Sequence, residues 1–216
     1  MKTNITEMVF ILDKSGSMSG LENDTIGGFN AMLNKQKELP GQCRLTTVLF
    51  NNNYQLLHDR LDLMAVNELT EKDYFVGGST ALLDAMGKSI LKVDSVMQGS
   101  AMEYRPDKVL FVIITDGMEN ASRRFTREQI SQMVTQRREM GWEFIFLGAN
   151  MDAIAVARDY GIPQDRARSY DYSPKGVRAN YAAASDVMHS IRSRGVVDED
   201  WDKHIVEDDK KGRKHS

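Results

Sequence analysis

The stretch "KVLFVIITDG", residues 108–117, limits the fold more than any other segment. From Val109 to Ile114 every side chain is apolar, so the segment has no polar face to offer to water. A strand of this kind is buried on both sides. That is the habit of parallel sheets, whose crossover helices cover both faces. The run is also far too short for a membrane span, which needs ~20 apolar residues.

The segments around it fit such a sheet. "VFILD", residues 9–13, reads as a second buried strand. Residues 19–39 carry Ile26, Phe29, Met32 and Leu33 at helical spacing, and Pro40-Gly41 ends that run. "CRLTTVLF" and "YQLLHDRLDL" are joined by an Asn triplet, a link too short for a parallel return, so this pair is antiparallel. "GGSTALLDAMGKSILKV" becomes an amphipathic helix through Leu82, Leu83, Met86, Ile90 and Leu91. Beyond the central strand we expect a helix over 126–140, the strand "WEFIFLGAN", a short helix over 152–160 and an edge strand near 166–170. Trp142 opens its strand as a packing residue. A last helix is capped by Ser173, has Pro174 in its first turn and ends at Gly195. Its apolar stripe is Val177, Tyr181, Ala184, Met188 and Ile191.

This order predicts an α/β fold: a Rossmann-like, doubly wound, mostly parallel six-stranded sheet with one antiparallel edge strand and helices on both faces. One domain would occupy residues 1–195, leaving 196–216 as a charged, mobile tail. A net charge of −3 leaves no basic footprint for nucleic acid. The lone Cys43 has no internal disulfide partner and reads as a small buried hydrophobe. No secretion signal or membrane span is evident, so a cytoplasmic protein is expected. Without such a signal, the Asn-x-Ser/Thr triplets at Asn4, Asn23 and Asn120 carry no weight. His58, His189, His204 and His215 lack ligand spacing, and Met32, Met86 and Met188 fall on helix stripes.

In open sheets of this type, ligands collect beyond the carboxyl ends of the strands, near the switch point in strand order. Three loops there carry chemistry: Asp13-x-Ser15-x-Ser17, Gly77-Gly78-Ser79-Thr80 and Thr115-Asp116-Gly117. Taken singly, each has an ordinary reading as a turn or helix cap. Together they offer two carboxylates and several hydroxyls, an all-oxygen set suited to Mg²⁺ or Mn²⁺. Glu119 and Asn120 either border that face or serve the loop. The phosphate-binding Gly-x4-Gly-Lys-Ser/Thr loop and the dinucleotide fingerprint are absent. A nucleophile elbow over Gly16–Gly20 fails because Met18 stands where its serine belongs. An EF-hand loop fails at Met18, at Asp24 and in the strand that precedes it. The enzyme alternative is a Mg-dependent aspartyl-phosphate phosphatase or phosphotransferase of haloacid-dehalogenase type. It wants a second Asp where Ser15 stands and a lysine after the strand, whereas Lys108 precedes it.

Asp13-x-Ser15-x-Ser17 with Thr80 and Asp116 resembles the metal-ion-dependent adhesion site of von Willebrand factor A and integrin I domains. The resemblance covers residues 5–195, and "TDGMEN" is similar to small stand-alone bacterial members, including tellurium-resistance-associated ones. It implies a metal held by Asp13, Ser15, Ser17, Thr80 and Asp116, with Thr80 depending on state and the carboxylates acting directly or through water. It also implies a non-enzymatic adaptor, monomeric when isolated, that binds a protein partner through the partner's acidic residue, without nucleic acid or membrane.

Overall fold

The computed structural model describes residues 5–212, with side chains through Asp208. The Asn4 triplet, His215 and the end of the basic tail lie outside the described residues. Six strands form one sheet: β1 (Thr6–Asp13), β2 (Cys43–Phe50), β3 (Tyr54–Asp62), β4 (Lys108–Thr115), β5 (Glu143–Ala149) and β6 (Ala167–Tyr170). Their order is β3-β2-β1-β4-β5-β6, with β2–β3 the antiparallel pair and β3 at the edge. This is the architecture the segment order predicts.

Alternation along β1 sends its side chains into two layers. Met8, Phe10 and Leu12 join α1 (Glu22–Lys37) and α5 (Pro174–Arg194) on one face. Val9 and Ile11 join α2 (Leu82–Gly99), α3 (Arg127–Glu139) and α4 (Ala153–Asp159) on the other. Trp142, just ahead of β5, stacks on Phe111 at 5.7 Å, and Phe111 stacks on Phe144 at 4.9 Å. Cys43 is buried, and burial pushes its thiol up to about 12, which keeps it inert. Ser173 caps α5 by accepting from the Gly176 N–H, and Gly195 ends it with φ +79°. Among the described residues, no helix is long and apolar enough to cross a membrane.

The described part of the expected tail is packed rather than free. A further helix, α6 (Lys203–Gly212), lies along α5, and Trp201, only 2% exposed, donates its indole N–H to the Asp165 carbonyl at 3.0 Å. Asp202 pairs with Arg168, Asp208 with Lys175, and Lys203 with Asp186. Among the described residues, the buried apolar side chains of this segment are Val197, Trp201 and Ile205, and the charged residues around them hide the pattern in the sequence.

Candidate metal centre

β1 and β4 are parallel neighbours, paired through Leu12↔Ile114, and connections leave them toward opposite sides of the sheet. The crevice at their carboxyl ends is therefore the switch point. Asp13 ends β1 there, and Asp116 follows the last residue of β4. The Gly77–Thr80 loop, ahead of α2, is drawn to the same place by backbone hydrogen bonds. Gly16 N–H donates to the Gly78 carbonyl at 3.0 Å, and Gly77 N–H donates to the Lys14 carbonyl at 2.9 Å. Gly78 has φ +81°, and a Cβ there would lie 2.2 Å from Asn52 Oδ1, so glycine is required.

All five singled-out residues meet in this crevice. Ser15 Oγ and Ser17 Oγ are 3.0 Å apart, and the Ser17 hydroxyl donates to Asp116 Oδ1 at 2.6 Å. Thr80 is held through its backbone: its N–H donates to Asn120 Oδ1 at 2.9 Å, and its carbonyl accepts from the Asn120 and Ala121 N–H groups. The three hydroxyl oxygens surround one point above Gly117. An ideal Cβ on that glycine would lie 2.5 Å from Thr80 Oγ1, 3.1 Å from Ser17 Oγ and 3.2 Å from Ser15 Oγ. Gly117 has no left-handed φ, so its lack of a side chain serves space rather than backbone conformation.

Asp13 is 1% exposed and held on both carboxylate oxygens. Oδ1 accepts from the Ser15 N–H at 2.7 Å, and Oδ2 from the Thr115 hydroxyl at 2.6 Å. Burial nevertheless raises its pKa, outweighing these hydrogen bonds. Burial likewise pushes Asp116 up to about 6. The Ser17 hydroxyl opposes that rise, and the charge of Asp13 adds to it. A cation placed beside these two carboxyls would favour their ionised forms and lower both values.

The donor set is also chemically selective. Among the described residues, no three His, Cys, Asp or Glu side chains gather as a metal cluster. What gathers instead is two carboxylates and three hydroxyls, hard oxygens that fit Mg²⁺ or Mn²⁺ better than a soft metal. The cradle above Gly117 gives such an ion room.

Three supporting residues were not among the five expected ligands, although Thr115 belongs to one of the three loops that the sequence marks. Thr115 orients Asp13, and its position as the polar end of an apolar strand is a readable signal. Tyr74 donates its hydroxyl to the Asp13 carbonyl at 2.6 Å, and nothing in its sequence neighbourhood announces this. Tyr172 donates to the Ser19 carbonyl at 2.8 Å, and burial together with Asp116, Glu22 and Asp13 pushes its phenol up to about 12. Glu119 serves the loop: its carboxylate accepts from the N–H groups of Leu83, Ala121 and Ser122 and from the Ser122 hydroxyl. Asn120 does the same for Thr80. Lys108 starts β4, and its ammonium donates to the Ile191 carbonyl at 3.0 Å, far along the strand from Asp116.

No protein-family model matches the sequence, and no curated protein does. Solved structures match its fold. Proximal thread matrix protein 1 from the mussel byssus, with a zinc-occupied MIDAS motif, aligns at TM-score 0.53 and 11% identity over 87% of this chain and 44% of that one. A von Willebrand factor type A protein from Catenulispora acidiphila aligns at 0.54 and 12% identity, over 83% and 42%. The ArnB paralog VWA2 from Sulfolobus acidocaldarius aligns at 0.52 and 17%, over 86% and 45%. The chain thus spans less than half the length of these proteins. It has the fold of von Willebrand factor type A domains.

Proposed function

We propose that this chain is a metal-dependent protein-interaction module without catalytic turnover, serving as an adaptor in a cytoplasmic multiprotein assembly of the small bacterial kind. Ser15, Ser17 and Thr80 would hold Mg²⁺ or Mn²⁺ through their hydroxyls, with Asp13 and Asp116 acting directly or through water. Mg²⁺ supplies a hard, poorly neutralised positive charge that favours an anionic oxygen at an open coordination place. A carboxylate of the partner, from Asp, Glu or a chain terminus, is the oxygen this site would take.

The observation that carries the reading is the ring of three hydroxyls around the space above Gly117, beside two carboxylates whose burial opposes their ionisation. Each protein group has a definite task. Thr115 and the Ser15 N–H hold Asp13 in orientation. Ser17 links the first loop to Asp116, and Asn120 fixes the backbone of Thr80. Ser15 occupies the place where an aspartyl-phosphate enzyme needs an acid, and a serine hydroxyl does not ionise near neutral pH, so it cannot serve as the acid/base.

Affinity capture from source lysate tests the reading, with wild type and Asp13→Ala in Mg²⁺ and in EDTA. A partner retained only by wild type in Mg²⁺ is expected. Its interface acids, changed singly to amides, should include one on which binding depends. If every such amide variant still binds while EDTA abolishes binding, the metal merely orders the surface and the carboxylate bridge is wrong.

A further inference from the structure

At the end of the sheet opposite the metal crevice, a cavity of about 430 Å³ lies between the 39–42 turn after α1 and the last turn of α5. Volumes of this order suit small-molecule ligands, whose sites pair apolar walls with a few placed polar groups. Leu39 and Pro40 supply the walls here, and Thr6, Gln42, His189 and Arg192 the polar groups. Among the described residues, no aspartate or glutamate lines the cavity. Arg192 is only 9% exposed, and no carboxylate among the described residues pairs with it. Its Nη1 donates to the Gln36 carbonyl, and its Nη2 to the carbonyls of Leu39 at 2.9 Å and Pro40 at 3.2 Å. Those dipoles satisfy donors but carry no full charge, so the site keeps the guanidinium's positive charge. The Nε–H has no partner among the described residues. Thr6 opens β1 on the same face as Met8 and Phe10, the side of α1 and α5. It is 3% exposed, yet its hydroxyl has no partner among the described residues. The exposed ring of His189 has none either, and an imidazole offers an N–H in both charge states.

We infer that this cavity binds a small organic anion, one oxyanion head (a carboxylate or a phosphate monoester) on an apolar body. The head takes the Thr6 hydroxyl, the His189 N–H and the Arg192 Nε–H, and the body lies on Leu39 and Pro40. Charge sets the sign of the ligand: a cation would meet Arg192 with no acid to receive it. Hydrogen bonds to a charged group are also stronger than those to a neutral one. The metal plays no part in this site. Thr6 and Asp13 stand at opposite ends of the eight-residue β1, which separates them by roughly 23 Å at about 3.3 Å per residue.

The test titrates the ¹⁵N-labelled full chain in EDTA with phenyl phosphate, phenylacetate, benzyl alcohol and benzylamine at matched ionic strength, followed by amide NMR. At least one of the two anions should shift the Gly41, Gln42 and Ser193 amides saturably, and the tighter of the two identifies the head group. The alcohol and the amine should bind at least about tenfold more weakly, the scale of one hydrogen bond to a charged group. Thr6→Val and His189→Ala should each weaken the preferred anion by a similar factor. His189 is exposed, so its variant keeps the test decisive if Thr6→Val fails to fold. Equal affinity for the anions and for benzyl alcohol or benzylamine overturns the anion site. So does the absence of a saturable shift at those amides with either anion, or wild-type affinity in His189→Ala. Because EDTA is present throughout, none of these results bears on the metal reading.

Discussion

Gly117→Ala isolates the proposed metal position from the rest of the fold. The new methyl carbon would start 2.5 Å from Thr80 Oγ1, where real contacts of this kind stay beyond 3.0 Å. The hydroxyl must retreat by roughly half an ångström or rotate away. That movement is inexpensive for the fold, because the crowded atom belongs to a side chain, and about 1 kcal/mol of overpacking is the scale. For the ion it is decisive, since Mg²⁺–oxygen bonds of about 2.0–2.1 Å tolerate little displacement. At a hundredfold excess over Kd, wild type gains about 2.7 kcal/mol from the metal. In a chain of this size that is roughly a 5–10 °C rise in Tm. Thermal melts in Mg²⁺ and in EDTA should show this rise for wild type and almost none for Gly117→Ala, whose Tm in EDTA falls only a few degrees. Gly99→Ala is the control, because no atom lies within 4 Å of the Cβ it adds. A Gly117→Ala protein with the full wild-type response would mean that the ion binds elsewhere.

The pH dependence follows from Asp116, whose carboxyl rises from an ordinary 3.8 to about 6. A raised folded-state value favours the protonated form, so metal-free protein should lose stability as pH climbs through about 6, by about 3 kcal/mol at most. Asp116→Asn should flatten that slope in EDTA melts and also abolish the Mg²⁺ response; an unchanged slope would assign the titration to another group. Thr115→Val keeps the shape but removes the hydroxyl from Asp13 Oδ2, and chemical denaturation should show a loss of about 1.5–3 kcal/mol with a weaker Mg²⁺ response. Trp201→Ala should cost about 3 kcal/mol if the segment beyond 195 packs as described, whereas a cost near zero in urea unfolding would return it to a free tail. Generic phosphate esters should not be hydrolysed in Mg²⁺, and turnover that Asp13→Asn abolishes would promote the phosphotransferase alternative.

The sheet was legible because its evidence is local. Six apolar residues from Val109 to Ile114 demand burial on two faces, and the short Asn link leaves an antiparallel pair no alternative. The meeting of Asp13 and Asp116 was legible because the carboxyl ends of β1 and β4 lie side by side, whereas the loop carrying Thr80 follows the antiparallel edge strand and is brought there by hydrogen bonds from Gly16 and Gly77. What escaped was set by distant contacts. Tyr74 reaches the Asp13 carbonyl across 61 positions, and no periodicity marks it. Glu119 and Asn120 looked ambiguous because a polar loop residue reads alike whether it faces a ligand or ties down its own backbone. The segment after 195 misled for a different reason. Trp201 and Ile205 stand one helical turn apart, a pattern too short to outweigh the charges between them.

Gly117 shows why the crevice is better understood as a binding site than as a well-satisfied turn. Gly117 is free of any left-handed φ, and a methyl group there would crowd Thr80 Oγ1 at 2.5 Å, so the glycine is kept for the space it leaves among the hydroxyls rather than for its backbone conformation. The folded chain keeps three hydroxyls around the place a side chain at 117 would take and sets two desolvated carboxylates beside them. The burial of the two carboxylates costs stability in the metal-free protein, and in the proposed reading a hard dication would offset it. It would give the hydroxyls a common partner and neutralise Asp13 and Asp116. Asp116→Asn should therefore stabilise the metal-free fold above about pH 6 while removing the Mg²⁺ response, and melts in EDTA against Mg²⁺ separate the two effects in one protein.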